Sequence, residues 1–170
     1  ASVKIFIETC PQYLFLTEAD LEKHGPYAKC NPPLRTPEET EAMWECITEG
    51  LIDTIGSDHG PFSVEEKERG NPDIFAAPAG FPGLEVRLPL ILTAVKKNRL
   101  SIHKAMELLC TNPSKIFGLY PRKGTLEVGS DADMVLVDME TPFTVDHNQM
   151  FSKSKDIARV YDGWELYGRV

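Results

Sequence analysis

The sequence predicts an α/β fold followed by a smaller β-rich region. Three observations predict it: a strand–helix–strand succession in the first 56 residues, a polar glycine-rich loop after the second strand, and short β-rich runs after Gly118. The 170 residues suffice for one domain, or for one domain with a small appendage. They exclude a complete TIM barrel, which typically needs about 250 residues.

The first strand is predicted over residues 1–10, where an apolar run suggests burial on both faces of a parallel sheet. A proline-rich connection follows. Thr36 then caps a helix that has Pro37 at its first position and acidic residues in its first turn. This helix should run to about Glu49 and stop at Gly50. Residues 51–56 form the second strand, which completes a βαβ-like unit.

The remaining elements are predicted from the spacing of apolar residues and from the glycine-rich and polar stretches between them. Residues 57–81 are polar and rich in glycine, and they predict a long functional or disordered loop. Apolar residues at helical spacing predict a helix over residues 82–97, and two shorter helices should follow, over 101–109 and 112–117. The strands of the β-rich region are predicted over residues 134–137, 143–145 and 164–167.

Composition excludes several classes of protein. Asp and Glu outnumber Lys and Arg by 26 to 18, which gives a net charge of −8 and argues against a nucleic-acid partner. The sequence has no run of about 18 apolar residues and no signal segment, so we expect a cytoplasmic protein without a membrane partner. The four cysteines form no C-x-x-C pair, and we expect buried free thiols: Cys10, Cys30, Cys46 and Cys110.

The sharpest chemical signal is Asp58, followed by His59, directly after the second predicted strand. In α/β barrels and open α/β sheets, this end of the strands carries the active site. An aspartate there can bind a metal or act as a general base, and it can equally be a structural residue that caps the loop. The other histidines have no metal-like spacing, and we expect surface or structural roles for them: His24, His103 and His147.

Five segments carry a resemblance to a known family. In order, they read ETCPQYL (residues 8–14), NPPLR (31–35), GSDHGPF (56–62), GFPGLE (80–85) and KGTLEVGSDAD (123–133). Together they resemble the C-terminal part of the cyclic amidohydrolases, which include dihydroorotase, allantoinase and hydantoinase or dihydropyrimidinase. The last segment occurs widely across amidohydrolases, so it supports the superfamily and not a particular substrate.

The resemblance implies the C-terminal portion of a metal-dependent (β/α)8 TIM barrel plus part of a small β-sandwich domain. Residues 1–125 would supply barrel strands, loops and helices, with residues 3–9 as the seventh strand and 51–56 as the eighth. Residues 126–170 would belong to the β-sandwich. The family's remaining metal ligands are an H-x-H pair, a carboxylated lysine and two further histidines. All of them would lie upstream of Ala1.

The resemblance also implies roles for particular residues. Asp58 would bind the more buried metal, take a proton from the attacking metal-activated water and pass it to the leaving ring nitrogen. Asn31, together with the backbone of Ala79 and Gly80, would contact the substrate ring. Asn31 is equally consistent with a turn-forming residue before two prolines. Zinc is the expected metal, in a binuclear site of the full-length protein, with manganese or cobalt as possible substitutes.

The expected reaction is hydrolysis of a cyclic amide such as a hydantoin, dihydropyrimidine, allantoin or dihydroorotate. Dihydroorotases usually have a histidine where this chain has Phe62, whereas NPPLR and GFPGLE are closer to dihydroorotase or allantoinase. Three alternatives therefore stay open: a dihydroorotase of pyrimidine biosynthesis, an inactive dihydropyrimidinase-like scaffold subunit, and an autonomous α/β binding module. As partners we expect the small-molecule substrate and either a homo-oligomer or the missing N-terminal portion.

Overall fold

The order of elements is given by the computed structural model, which describes residues 3–170. The first half contains β1 (Glu8–Thr9), α1 (Gln12–Phe15), α2 (Glu18–His24), α3 (Pro37–Thr48), β2 (Thr54–Ile55) and α4 (Val64–Glu68). The second half contains α5 (Leu84–Lys96), α6 (Ile102–Met106), α7 (Asn112–Ile116), β3 (Phe143–Thr144) and β4 (Glu165–Leu166). Short 3₁₀ turns lie at Gly25–Ala28, Ile74–Ala76, His147–Gln149, Lys155–Ile157 and Arg159–Tyr161.

The predicted strand–helix–strand unit is present, with strands shorter than expected. β1 and β2 pair in parallel, with Glu8 opposite Thr54 and α3 between them in the chain. The residues of this chain do not bury the first strand on both faces as predicted, since Val3 is 83% exposed and Ile5 is 76% exposed. An apolar run is buried only where a neighbour covers it. In the described part of the chain, β1 pairs with β2 over two residues only.

Helix α3 agrees closely with its prediction because its signals are local. The Thr36 hydroxyl accepts a hydrogen bond from the Glu39 amide at 3.3 Å, and the Glu39 carboxylate accepts one from the Thr36 amide at 3.2 Å. Gly50 follows the helix with φ +78°. Buried Trp44 donates its indole N–H to the Leu14 carbonyl at 2.8 Å, and this bond ties α3 to α1.

The segment predicted as a long loop, residues 57–81, contains helix α4. Ser63 caps it, since its hydroxyl accepts from the Glu66 amide at 3.2 Å while the Glu66 carboxylate accepts from the Ser63 amide at 2.8 Å. Five residues are too few to show helical periodicity, which is why the sequence did not predict α4. The three predicted later helices are present as α5, α6 and α7. A π-helical turn over Glu107–Thr111 joins α6 to α7 without the predicted break.

The region after Gly118 has little regular structure. β3 and β4 pair antiparallel, with Phe143 opposite Leu166, as the β-rich runs there predicted. The strand predicted over residues 134–137 is absent. Leu136 is 91% exposed, and the next pairing along the chain is an isolated bridge between Asp138 and Arg169. A short apolar run without a pairing partner does not form a strand in the described chain.

Two apolar clusters form the core. One joins α3, β2, α5 and α6 through Leu14, Trp44, Ile47, Ile52, Ile55, Ile91, Ala94, Leu100, Ala105 and Leu108. The other joins residues from both sides of position 126: Leu16, Ala28, Cys30, Leu34, Phe81, Val86, Leu90, Val145, Val160, Tyr161 and Leu166. The β-rich region therefore packs directly on α5. The boundary between residues 1–125 and 126–170 stays a prediction.

The cysteines are free thiols, and they differ in exposure. Cys10 and Cys30 are buried as expected, Cys46 is partly buried and Cys110 is exposed. No helix among residues 3–170 combines the length and the apolar character needed to cross a membrane.

Candidate active site

The loop after β2 presents Asp58 at the same edge of the sheet as the segment after β1. Asp58 is exposed and has φ +47°, a left-handed conformation that is uncommon for residues other than glycine. Gln12, on α1, is 4% exposed, and its side-chain amide donates to Asp58 Oδ2 at 3.0 Å. Gln12 therefore fixes one oxygen of the predicted catalytic carboxylate. The sequence analysis did not single out Gln12 as a site residue, although it lies in the ETCPQYL segment.

Burial favours the neutral form of two thiols and one phenol near Asp58. Burial, reinforced by the negative charge of Asp58, raises the pKa of the Cys10 thiol to about 12. Burial likewise raises the pKa of the Cys30 thiol to about 11 and the pKa of the Tyr13 phenol above its usual range. Tyr13 donates to the Pro32 carbonyl at 3.1 Å, and the Cys30 thiol contacts the same oxygen at 3.2 Å. These contacts fix the backbone directly after Asn31, whose side chain is exposed.

The predicted substrate-contacting segments lie beside each other. The Gly80 amide donates to the Lys29 carbonyl at 2.8 Å, so the backbone at Ala79 and Gly80 runs next to the stretch that leads to Asn31. Gly80 has φ +119°, a conformation that side chains rarely adopt. The structure therefore brings together the two segments that were predicted to contact substrate.

The Asp58 loop also packs against this segment. The Gly60 amide donates to the Phe81 carbonyl at 3.1 Å, and His59 forms a parallel bridge with Phe81. His59 Nδ1 accepts from the amides of Gly83 and Leu84, both at 3.3 Å, at the start of α5. His59 thus caps α5 through the ring nitrogen that could otherwise bind a metal.

A buried lysine, Lys67, lies behind the same segment. It is 0% exposed, and its ammonium donates to the carbonyls of Gly80 at 2.7 Å, Pro78 at 3.0 Å and Lys29 at 3.4 Å. Burial and the nearby positive charge of Lys29 lower its pKa to about 8. Nothing in the sequence analysis pointed to Lys67, because its partners lie far from it along the chain.

A groove beside β1 does not enclose Asp58 or the Gly80 segment. It has a volume of about 490 Å³ and lies between β1 and α3, with Tyr13, Pro32 and Arg35 in its wall. Asp58 and Gly80 are not among its lining residues. Asp58 is exposed in the described chain and lies outside this groove.

The comparison with known proteins matches this chain to one family. A profile described as "Amidohydrolase family" matches residues 14–164. The chain belongs to the amidohydrolase family.

Individual relatives agree with this assignment. The chain is similar to an L-hydantoinase of Paenarthrobacter aurescens (47% identity over 165 residues, 96% of this chain and 36% of that protein). It is similar to a dihydroorotase of Acetivibrio thermocellus (42% identity over 169 residues, 99% and 38%). Among solved structures, it matches a dihydropyrimidinase from Brevibacillus agri with a TM-score of 0.89 and 34% identity, over 97% of this chain and 36% of that one. The chain thus spans a little over a third of the length of these relatives.

The possible metal ligands of this amidohydrolase chain do not gather around Asp58. Within residues 3–170, the only group of three ligating side chains whose ligand atoms lie within 4.8 Å of one another is Asp146, His147 and Asp162. Asp162 accepts hydrogen bonds from the backbone and the ring of His147, and Asp146 accepts from the Asn148 amide at 2.9 Å. These bonds account for the cluster without a metal. Asp58 offers a single carboxylate ligand.

Proposed function

We propose that the full-length protein is a metal-dependent cyclic amidohydrolase that opens the C–N bond of a cyclic ureide or imide. Asp58 is its metal ligand and its general acid/base. The observation that carries the proposal is the exposed Asp58 carboxylate, which Gln12 holds at the carboxyl end of β2, on a loop packed against the Gly80 segment. Family membership supports the reaction class.

The chemistry needs a nucleophile, an activated carbonyl and a proton for the leaving nitrogen. A divalent metal, when bound, supplies a water of lowered pKa and polarises the carbonyl. Asp58 accepts the proton of that water and donates it to the ring nitrogen as the C–N bond breaks. The hydrogen bond from Gln12 keeps Asp58 in one orientation through both transfers. Asp58 provides one ligand only, so ligands from outside this chain complete the metal site; we propose zinc, in a binuclear site.

The substrate class follows from the groups that face the ring. We assign the contacts with the cyclic amide to Asn31 and to the backbone of Ala79 and Gly80. Phe62, on the Asp58 loop, is partly buried and carries no charge, so it cannot pair with a substrate carboxylate. This favours an uncharged ring, such as a hydantoin or a dihydropyrimidine, over dihydroorotate. The relatives include enzymes named for both classes of ring: a hydantoinase and a dihydropyrimidinase on one side, and a dihydroorotase on the other.

Location and assembly are also part of the proposal. We place the protein in the cytoplasm, as a homo-oligomer or joined to further barrel segments. The exposed apolar side chains directly before β1 support such association, because they leave an apolar surface uncovered: Val3, Ile5, Phe6 and Ile7.

The test is Asp58→Asn in the full-length protein, with Asp156→Asn, an exposed aspartate on the 3₁₀ turn Lys155–Ile157, as the matched control. Hydrolysis of hydantoin, dihydrouracil, allantoin and dihydroorotate is measured together with metal content by elemental analysis. Asp58→Asn should lower turnover by about 10³-fold and reduce bound metal, while Asp156→Asn should match the wild type. Full turnover in Asp58→Asn contradicts the mechanism. A wild-type protein without metal or activity supports the scaffold alternative, and preference for dihydroorotate supports the dihydroorotase alternative.

A further inference from the structure

Lys67 is unusual because lysine is rarely fully buried without a charged partner. Its exposed fraction is 0%, and its hydrogen bonds go to backbone carbonyls and not to a carboxylate. An ammonium group has three N–H donors, and here three carbonyl oxygens receive them. Burying such a cation is costly unless its donors are paired, so the arrangement calls for a reason.

The three carbonyls belong to the two segments of the proposed substrate site. Pro78 and Gly80 flank Ala79, and Lys29 lies two residues before Asn31. The Gly80 amide adds a direct bond to the Lys29 carbonyl at 2.8 Å. One ammonium group therefore spans both segments that would contact the ring.

A second lysine holds the turn that leads into the same segment. Lys29 donates its own ammonium to the carbonyls of Ile74 at 2.8 Å, Phe75 at 3.2 Å and Ala77 at 2.5 Å. Two lysine ammonium groups thus hold residues 74–80 through five backbone carbonyls. These residues are not part of a regular sheet or a long helix that would fix them otherwise.

The electrostatics explain why a cation is needed between these segments. Carbonyl oxygens that converge on one point repel each other through their partial negative charges, and a buried carbonyl without a donor loses the free energy of its hydration. The Lys67 ammonium removes both costs. An apolar side chain of similar length would fill the space but remove the ammonium donor of the Pro78 and Gly80 carbonyls, and the Lys29 carbonyl would keep only the Gly80 amide, so we expect the segments to be held less firmly.

We propose that Lys67 is a positioning residue that holds the Ala79–Gly80 backbone against the Asn31 segment in the geometry that binds the cyclic amide. This inference rests on the proposed function. Lys67 does not touch the substrate; it acts through the carbonyls of Gly80, Pro78 and Lys29. It also lies on the same stretch of chain as Asp58, and its ammonium is 5.8 Å from the centre of the Phe62 ring.

The first test measures the position of the segment without reference to activity. Lys67→Met keeps the length of the side chain and removes the donors, and Lys97→Met, at an exposed lysine after α5, is the matched control. In the full-length protein, Lys67→Met should raise hydrogen exchange at the Gly80 and Phe81 amides by about tenfold or more. Lys97→Met should leave this exchange unchanged. Unchanged exchange in Lys67→Met overturns the proposal.

The second test separates positioning from simple loss of folded protein. Lys67→Met should raise KM for the best cyclic amide by about tenfold while kcat changes by less than about threefold. In Lys67→Ala, added propylammonium should lower the raised KM part of the way back to the wild-type value. Tetramethylammonium, which has no N–H donor, should leave KM unchanged. A loss of activity that only tracks the unfolded fraction, with KM unchanged and no amine rescue, overturns the proposal.

Two further outcomes are decisive. If Lys67→Met does not fold, Lys67→Gln, which retains two N–H donors, is measured by the same exchange and KM criteria. If the wild-type protein hydrolyses none of the cyclic amides, the proposed function fails. The exchange at Gly80 and Phe81 then decides the role of Lys67 by itself: increased exchange in the variant supports it, and unchanged exchange overturns it.

Discussion

Replacing Gly60 by alanine should displace the two halves of the candidate site from each other. A Cβ atom at Gly60 would lie 2.9 Å from the Gly80 carbonyl carbon and 3.0 Å from both Gly80 Cα and the Phe81 nitrogen. Carbon atoms pack favourably at about 3.5–4.0 Å, so the segments must separate by roughly 0.5 Å or more. All three atoms are backbone, and no side-chain rotation can relieve the contact.

The expected magnitude follows from two contributions. Overpacking in a well-packed region costs about 1–3 kcal/mol. The hydrogen bond from the Gly60 amide to the Phe81 carbonyl, 3.1 Å long, is weakened or lost at a cost of about 1 kcal/mol. Gly60→Ala should therefore lower the free energy of unfolding by about 2–4 kcal/mol. Because misplacement by about 1 Å can cost about 100-fold in rate, kcat/KM should fall by roughly 10- to 100-fold.

The assay combines urea unfolding, followed by circular dichroism, with cyclic amide hydrolysis by the full-length protein. Gly50→Ala is the matched control, since Gly50 has φ +78° and nothing lies within 4 Å of a Cβ placed there. Gly50→Ala should lower the free energy of unfolding by about 1–2 kcal/mol through backbone strain alone, and kcat/KM should stay at the wild-type value. The reasoning is refuted if the free energy of unfolding of Gly60→Ala lies within about 0.5 kcal/mol of the wild-type value and kcat/KM is unchanged. The close approach of the two segments would then not determine the geometry of the site.

Three further predictions concern the core and the buried titratable groups. Trp44→Phe leaves the Leu14 carbonyl unpaired beside a small cavity and should lower the free energy of unfolding by about 2–3 kcal/mol, measured in urea. The pKa of Lys67 is lowered from 10.5 to about 8, so the unfolded chain binds more protons above pH 8. The free energy of unfolding of the wild type, minus that of Lys67→Met, should therefore rise by about 3 kcal/mol between pH 8 and pH 10.5. Urea unfolding measures this difference, and a difference that stays constant or falls over this pH range would contradict the prediction. Burial raises the pKa of Cys10 to about 12 and that of Cys30 to about 11, so iodoacetamide at pH 8 should alkylate them only after denaturation, as mass spectrometry will report.

The parts of the fold that could be predicted depend on neighbouring residues. Thr36, Pro37 and Glu39 form a start signal within four positions, and α3 begins where they place it. The Asp58 loop was located because the end of a predicted parallel strand is a known position for chemistry. In both cases the information lies in a short stretch of chain.

The parts that could not be predicted depend on partners distant in the sequence. The apolar run from Val3 to Ile7 predicts burial, but burial needs a covering surface that the run itself does not encode. Gln12 lies 46 residues from the carboxylate it contacts, and Lys67 lies 38 residues from Lys29. Neither side chain has a local pattern that distinguishes it from a surface amide or a surface lysine.

The loop after β2 supports two separate tasks at its two ends. At its start, Asp58 is exposed and takes its orientation from Gln12, the first residue of α1, which follows the neighbouring strand β1. At its far end, Lys67 is buried and takes its orientation from three carbonyls, while the capped first turn of α4 holds its backbone. Proton transfer needs a carboxylate that water and substrate can reach, whereas holding a loop needs a cation that water cannot reach. Because Gly60 packs on Gly80 between these two ends, the proposed reacting group and the proposed binding segment are held in register even though each depends on different contacts.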